Sequence, residues 1–191
     1  ENQQIWTAPA DTDVGDLDVS DVYASTGSSI TQTDEVANGD VVVHQIVASG
    51  LEGVVTNESG LFNAINNSTI GLSVDQNDSN TAANQPAKSL DIGPGSASQV
   101  LDAENDTYFV AVETSQVPVT TSRSLANGDE YTADFSVNSS SVLVNADDDE
   151  VVSDHFGIVD PSVELDTNDE DEVAVESADS QEITGDTNFA P

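Results

Sequence analysis

Apolar and polar residues alternate with a period of two along most of the chain, and no window of ten residues carries the apolar stripe of an amphipathic helix. The pattern predicts strands over Gln3–Ala8, Leu17–Ala24, Val41–Ser49, Thr69–Asp75, Lys88–Ile92, Thr107–Thr114, Val117–Thr121, Tyr131–Val137 and Ser141–Asn145. Val41–Ser49 and Thr107–Thr114 are apolar on both faces, as strands central to a sheet are. Pro118 assigns Val117–Thr121 to a sheet edge, because proline cannot donate to a ladder. Leu61–Ile65 reads as a single helical turn capping one end. Two Ala-Asn-Gly-Asp turns, Ala37–Asp40 and Ala126–Asp129, each feed a strand, and Asn-Gly is a strong tight-turn signal. Strands of this length broken by Gly, Asn and Asp predict an all-β antiparallel sandwich. Past Asn145 acidic clusters separate short apolar runs: Phe156–Val159, Val173–Val175 and Ile183. The chain therefore divides into an N-terminal extension (1–12), a sandwich (13–145) and an acidic C-terminal segment (146–191), the last either part of the same domain or an extension of it.

Charge changes the picture most. The 191 residues include 37 Asp and Glu against two basic residues, Lys88 and Arg123, for a formal charge of −35. Self-repulsion of that size opposes a compact state in dilute buffer. The screening length falls to about 3 Å at 1 M salt, so a folded chain of this composition makes sense in brine. Disorder is the bland alternative, but Val41–Val43, Ile46–Val47 and Tyr108–Val110 are strong strand formers. Asp166–Glu172 is the fairer candidate for a linker. No basic patch exists to hold nucleic acid. No segment is long and apolar enough to span a membrane, and the absence of cysteine excludes disulfides and thiolate metal sites.

Six N-glycosylation sequons, at Asn57, Asn66, Asn67, Asn77, Asn105 and Asn138, point to an extracellular, cell-surface chain bearing N-linked glycans. The start at Glu1 is expected to mark a mature form from which a signal peptide has been removed.

Several runs carry a family resemblance. Gly15–Val19, Asp21–Thr26, Asp34–Gly53, Asn105–Val112 and Leu125–Val137 resemble a domain of surface glycoproteins of halophilic archaea. The resemblance covers about Asp13 to Asn145. It implies an Ig-like sandwich in a secreted, glycosylated surface protein of the S-layer kind or an associated appendage. The threonine-rich stalk and membrane anchor usual in such proteins do not occur in this sequence, which favours a small secreted subunit.

Candidate chemistry is sparse, and the expectation is a protein that is not an enzyme. Ser153-Asp154-His155 sets three triad residue types side by side, but a working triad converges in space and is rarely contiguous. A turn before the Phe156 strand is the expected role. His44, inside a predicted central strand, is expected to be a core or sheet-face residue. Two histidines without cysteines give no zinc spacing, so no metal site or other cofactor is assigned. Calcium or another hard cation needs clustered oxygens. Asp11, Asp13 and Asp16 alternate suitably, as do Asp166, Asn168 and Glu170, yet neither run continues to a bidentate Glu.

The N-terminal segment carries the sharpest functional reading. Ile5, Trp6 and Ala8 could anchor a strand donated to the next copy by β-augmentation, giving a filament or surface-layer component built from copies of this chain, with other surface proteins as further partners. The same segment could equally be the domain's own first strand. The alternative function is a monomeric adhesion or ligand-binding module of a larger surface glycoprotein.

Overall fold

Two apolar runs form the centre of a five-stranded sheet: β4 (Val41–Val47) and β7 (Thr107–Glu113) pair antiparallel from Val41↔Glu113 to Val47↔Thr107. The computed structural model describes residues 2–13, 16, 18–26, 29–55, 60–77, 81, 83–121, 123–143, 148–167 and 184–188. On one side β4 pairs with β1 (Asn2–Ala8), in register from Asn2↔Val47 to Ala8↔Val41. On the other side β7 pairs with β6 (Ser98–Asp102), and a two-residue β2 (Thr31–Gln32) closes the far edge of β1.

The second sheet runs β3 (Glu35–Ala37), β9 (Glu150–Val159), β8 (Glu130–Val137) and β5 (Ile70–Gln76). Its pairs are antiparallel except β3 with β9, which run parallel from Glu35↔Gly157 to Ala37↔Val159. In their order across the sheets, β1, β4, β7 and β6 take the A, B, E and D positions of an Ig-like sandwich, and β5, β8 and β9 take C, F and G. The fold is thus an all-β sandwich, with one parallel edge pair where a wholly antiparallel arrangement was expected.

Between the sheets lie Ile5, Val42, Ile46 and Val110 from the first and Val74, Tyr131, Phe135, Phe156 and Ile158 from the second. Burying each such side chain stabilises the fold by roughly 1.5–3 kcal/mol relative to exposure. Gln3 and Ile5 bind β1 to the opposite sheet as well. Phe135 N donates to Gln3 Oε1 at 3.0 Å, and Ile5 N donates to Asp154 Oδ2 at 2.8 Å.

A second core lies outside the first sheet. Trp6, Ala8, Val41, Val43, Val100, Phe109 and Ala111 pack there with Val19 and Val22 of α1 (Val19–Ser25) and with Ile30. This cover explains why β4 and β7 are apolar on both faces. It also corrects the expected strand at Leu17–Ala24. The carboxylate of Asp18 caps the helix by accepting from Asp21 N at 3.0 Å, and Val19 and Val22 fall three apart on the face turned to the sheet.

Other expectations shift in extent. The single turn at Leu61–Ile65 is the seven-residue α2 (Gly60–Asn66). Lys88–Ile92 and Val117–Thr121 form no ladder and pair with their neighbours through isolated bridges, Asp75↔Ser89 and Leu90↔Val119. Ser141–Leu143 forms a turn instead of a strand, since Asn138 Oδ1 accepts from Ser140 N and draws the chain into an Asx bend. Phe156–Val159 is only the end of a ten-residue β9 that enters the sandwich. Beyond it, β10 (Val163–Leu165) and β11 (Gly185–Thr187) make a separate, exposed two-stranded sheet. Val173–Val175 and Ile183 lie outside the described residues.

Candidate functional site

A dense polar constellation among the described residues sits at the corner that leads into β8. Asn127-Gly128 turns with Gly128 at φ +83°, a conformation glycine adopts without a Cβ penalty. The turn delivers Asp129 into the protein, 7% exposed, against Lys88, 5% exposed. Lys88 Nζ donates to Asp129 Oδ2. The same oxygen accepts from Ala126 N at 2.8 Å and from the Tyr131 hydroxyl at 3.3 Å, while Gln76 Nε2 donates to Oδ1 at 2.9 Å. Gln76 Oε1 in turn accepts from Lys88 N at 3.1 Å. A buried carboxylate with this many donors is a satisfied network, the condition under which buried charge is tolerated. Tyr131 is fully buried and stacks on Phe156 at 5.5 Å between ring centroids. Burial, followed by the nearby Asp129 charge, pushes the Tyr131 hydroxyl well above the usual phenol range. The sequence reading found the turn but missed this network. Its signal was a lysine standing alone in a strand-like segment of a chain almost without basic residues.

The other Ala-Asn-Gly-Asp turn is held in a related way. Gly39 has φ +117°, Gly39 N donates to Thr114 Oγ1 at 2.7 Å, and that hydroxyl donates to Asp40 O at 2.8 Å. The two turns clasp the end of β9 from opposite sides. Asn38 N donates to Val159 O at 2.9 Å and Gly128 N donates to Ile158 O at 2.8 Å.

Ser153, Asp154 and His155 alternate along β9 and do not converge. Ser153 Oγ donates to Asp134 Oδ1, Asp154 holds Ile5 N, and His155 Nδ1 lies 3.0 Å from Thr132 Oγ1. Thr132 donates its own proton to Asn77 Oδ1 at 2.6 Å, which makes His155 Nδ1 the donor in its contact. Asp11 and Asp13 are exposed and line an open groove of about 440 Å³ with Ser96, Ser98 and Glu113, whereas Asp16 lies outside its lining. No group of three or more His, Asp or Glu side chains among the described residues is placed to hold a metal ion. Asp166 is described, but Asn168 and Glu170 fall outside the described residues.

His44 points between the sheets beside Phe156, with ring centroids 6.2 Å apart, and neither ring nitrogen finds a partner among the described residues. Burial lowers its pKa to about 4. The unfolded chain therefore binds a proton that the folded chain refuses between about pH 6.5 and 4, and stability is lost as pH falls through that window. A shift of that size is worth roughly 3 kcal/mol. Melting curves in constant brine at pH 7.5 and 4.5 are expected to differ by that much more for the wild type than for His44→Leu.

Ile5 and Ala8 are buried in β1, and half-buried Trp6 packs under the α1 layer with its Nε1 donating to Gln45 Oε1 at 2.9 Å. Of the sequon asparagines, Asn66, Asn67 and Asn105 are exposed, Asn77 and Asn138 half-buried, and Asn57 outside the described residues. Asn105 Nδ2 donates to Asp102 Oδ2 at 2.7 Å, and that carboxylate also accepts from the Tyr23 hydroxyl at 3.0 Å. No described helix is long and apolar enough to cross a membrane.

No protein-family model matches the chain, and no solved structure does. Three proteins do. A cell surface glycoprotein of Haloferax gibbonsii is 38% identical over 196 residues, covering 97% of this chain and 22% of that protein. Cell surface glycoproteins 1 and 2 of Haloarcula hispanica are 35% and 33% identical, each covering 100% of this chain and 23% of their own length. The chain thus spans less than a quarter of the curated relatives it matches.

Proposed function

We propose that this chain, a relative of the haloarchaeal cell surface glycoproteins along its whole length, is a structural domain at the cell surface, built to stay folded and to stand beside further copies in brine. The whole-length match carries the reading. The sandwich supports it, because its polar side chains are spent on holding strands, turns and sheets together.

The finer reading is self-assembly, with copies linked through β1 into a filament or layer. Within one chain β1 fills its own A position, so linkage takes the form of exchange: the strand of one copy occupies the groove beside β4 of the next. Ile5, Trp6 and Ala8 would then make the contacts in the neighbour that they make at home. N-linked glycans at the exposed Asn66 or Asn67 and Asn105 would clothe the remaining surface, and screening cations would lie between the acidic faces.

Electron microscopy in concentrated salt is expected to show regular filaments or sheets of the native protein. Trp6→Ala, which strips β1 of its hold on the α1 layer, is expected to yield folded monomers, with circular dichroism confirming the fold. Normal assembly by that variant sinks strand exchange. Dispersed wild-type monomers would instead favour an adhesion module, for which the outer depression lined by Asp34, Glu35, Glu130 and His155 is the binding candidate.

A further inference from the structure

We infer that Lys88 and Asp129 condense into an intramolecular amide, a covalent cross-link between the segment beside β5 and the corner before β8. Four observations bring the chemistry together. The amine and the carboxyl group are in contact, and both are shut away from water, at 5% and 7% exposure. The stacked rings of Tyr131 and Phe156 lie beside them. Both carboxyl oxygens are held by neutral donors, Ala126 N and the Tyr131 hydroxyl on Oδ2 and Gln76 Nε2 on Oδ1. Finally, Lys88 is the chain's sole lysine, so no other side-chain amine competes for the carboxyl group.

The step balances within the pair. A proton passes from the Lys88 ammonium to the Asp129 carboxylate along their direct contact. The neutral Nζ then attacks Cγ of the carboxylic acid. The oxygen that gains negative charge is Oδ1, at which Gln76 Nε2–H already points, an arrangement that stabilises an oxyanion. Oδ2, which took the proton from the ammonium, leaves as water. Its two protons are the one passed to the acid and a second from the nitrogen, so the ammonium has given up two and the amide N–H keeps the third. Fixed contact replaces a bimolecular encounter, and loss of the water from a closed site draws the reaction forward. A chain without cysteine would gain by this route the kind of cross-link a disulfide supplies elsewhere.

The test is peptide mapping of the full chain, produced in a host that adds no N-glycans, folded in brine, then denatured and cleaved after glutamate. Cleavage puts Lys88 in peptide 59–104 and Asp129 in peptide 114–130. The expected product is one branched peptide lighter by one water than the two together, and Lys88→Arg is expected to return two linear peptides. Two linear peptides of full mass from the wild type overturn the proposal and leave an ion pair only. A deficit that persists in Lys88→Arg overturns it as well.

Discussion

Replacing Asp129 by alanine is expected to destabilise the domain by at least about 3–5 kcal/mol, the cost of leaving the buried Lys88 amine without its partner. The substitution takes the acceptor from Lys88 Nζ, Ala126 N, the Tyr131 hydroxyl and Gln76 Nε2 together. Each buried donor left without a partner costs about 1–3 kcal/mol before relaxation. Since small domains are stable by only about 5–15 kcal/mol in total, such a loss brings the variant close to unfolding. Denaturant titration at fixed high salt measures it. The double variant Asp129→Leu with Lys88→Met removes both charges and is expected to recover part of the loss. A single variant as stable as the wild type would show that the corner contributes nothing.

Transfer from several molar salt into dilute buffer is expected to unfold the chain altogether. The net charge is −35, and the described residues make one ion pair, the buried Lys88–Asp129. Arg123, the other basic residue, donates to Gln85, Pro86 and Thr121, none of them acidic. Neutralisation of the surface thus falls to ions in solution. Between 1 M and 0.1 M salt the screening length grows from about 3 to about 10 Å, far enough to join carboxylates on neighbouring strands. Circular dichroism along a dialysis series reads the transition directly. A spectrum unchanged at low salt would refute the argument, whatever the composition.

The centre of the fold was legible because burial writes itself into period and composition. Val41–Val47 and Thr107–Glu113 could hardly be anything but central strands, and Tyr131–Val137 alternates cleanly. What stayed hidden depended on long-range partners. β6, Ser-Gln-Val-Leu-Asp, and the first half of β9, Glu-Val-Val-Ser-Asp-His, hold too few inward apolar residues to stand out without their neighbours. α1 was masked because Leu17, Val19 and Val22 fit a strand nearly as well as a helix, and the Asp18 cap settled the matter. The Lys88 network was invisible for a different reason: its members come from three separated segments, and only the fold brings 76, 88 and 126–131 together.

The direction of β3 bears on how the domain would carry load. β3 lies parallel to β9, and Gly157 N donates to Asp34 O at 2.7 Å while Asn38 N donates to Val159 O at 2.9 Å. A pull that enters the chain ahead of β3 and leaves it after β9 drags these two strands in opposite senses. The bonds between them are then sheared together instead of being opened one at a time, as in the unzipping of a hairpin. Rupture must break the whole row at once. A domain wired in this way resists stretching at its edge before its core is disturbed.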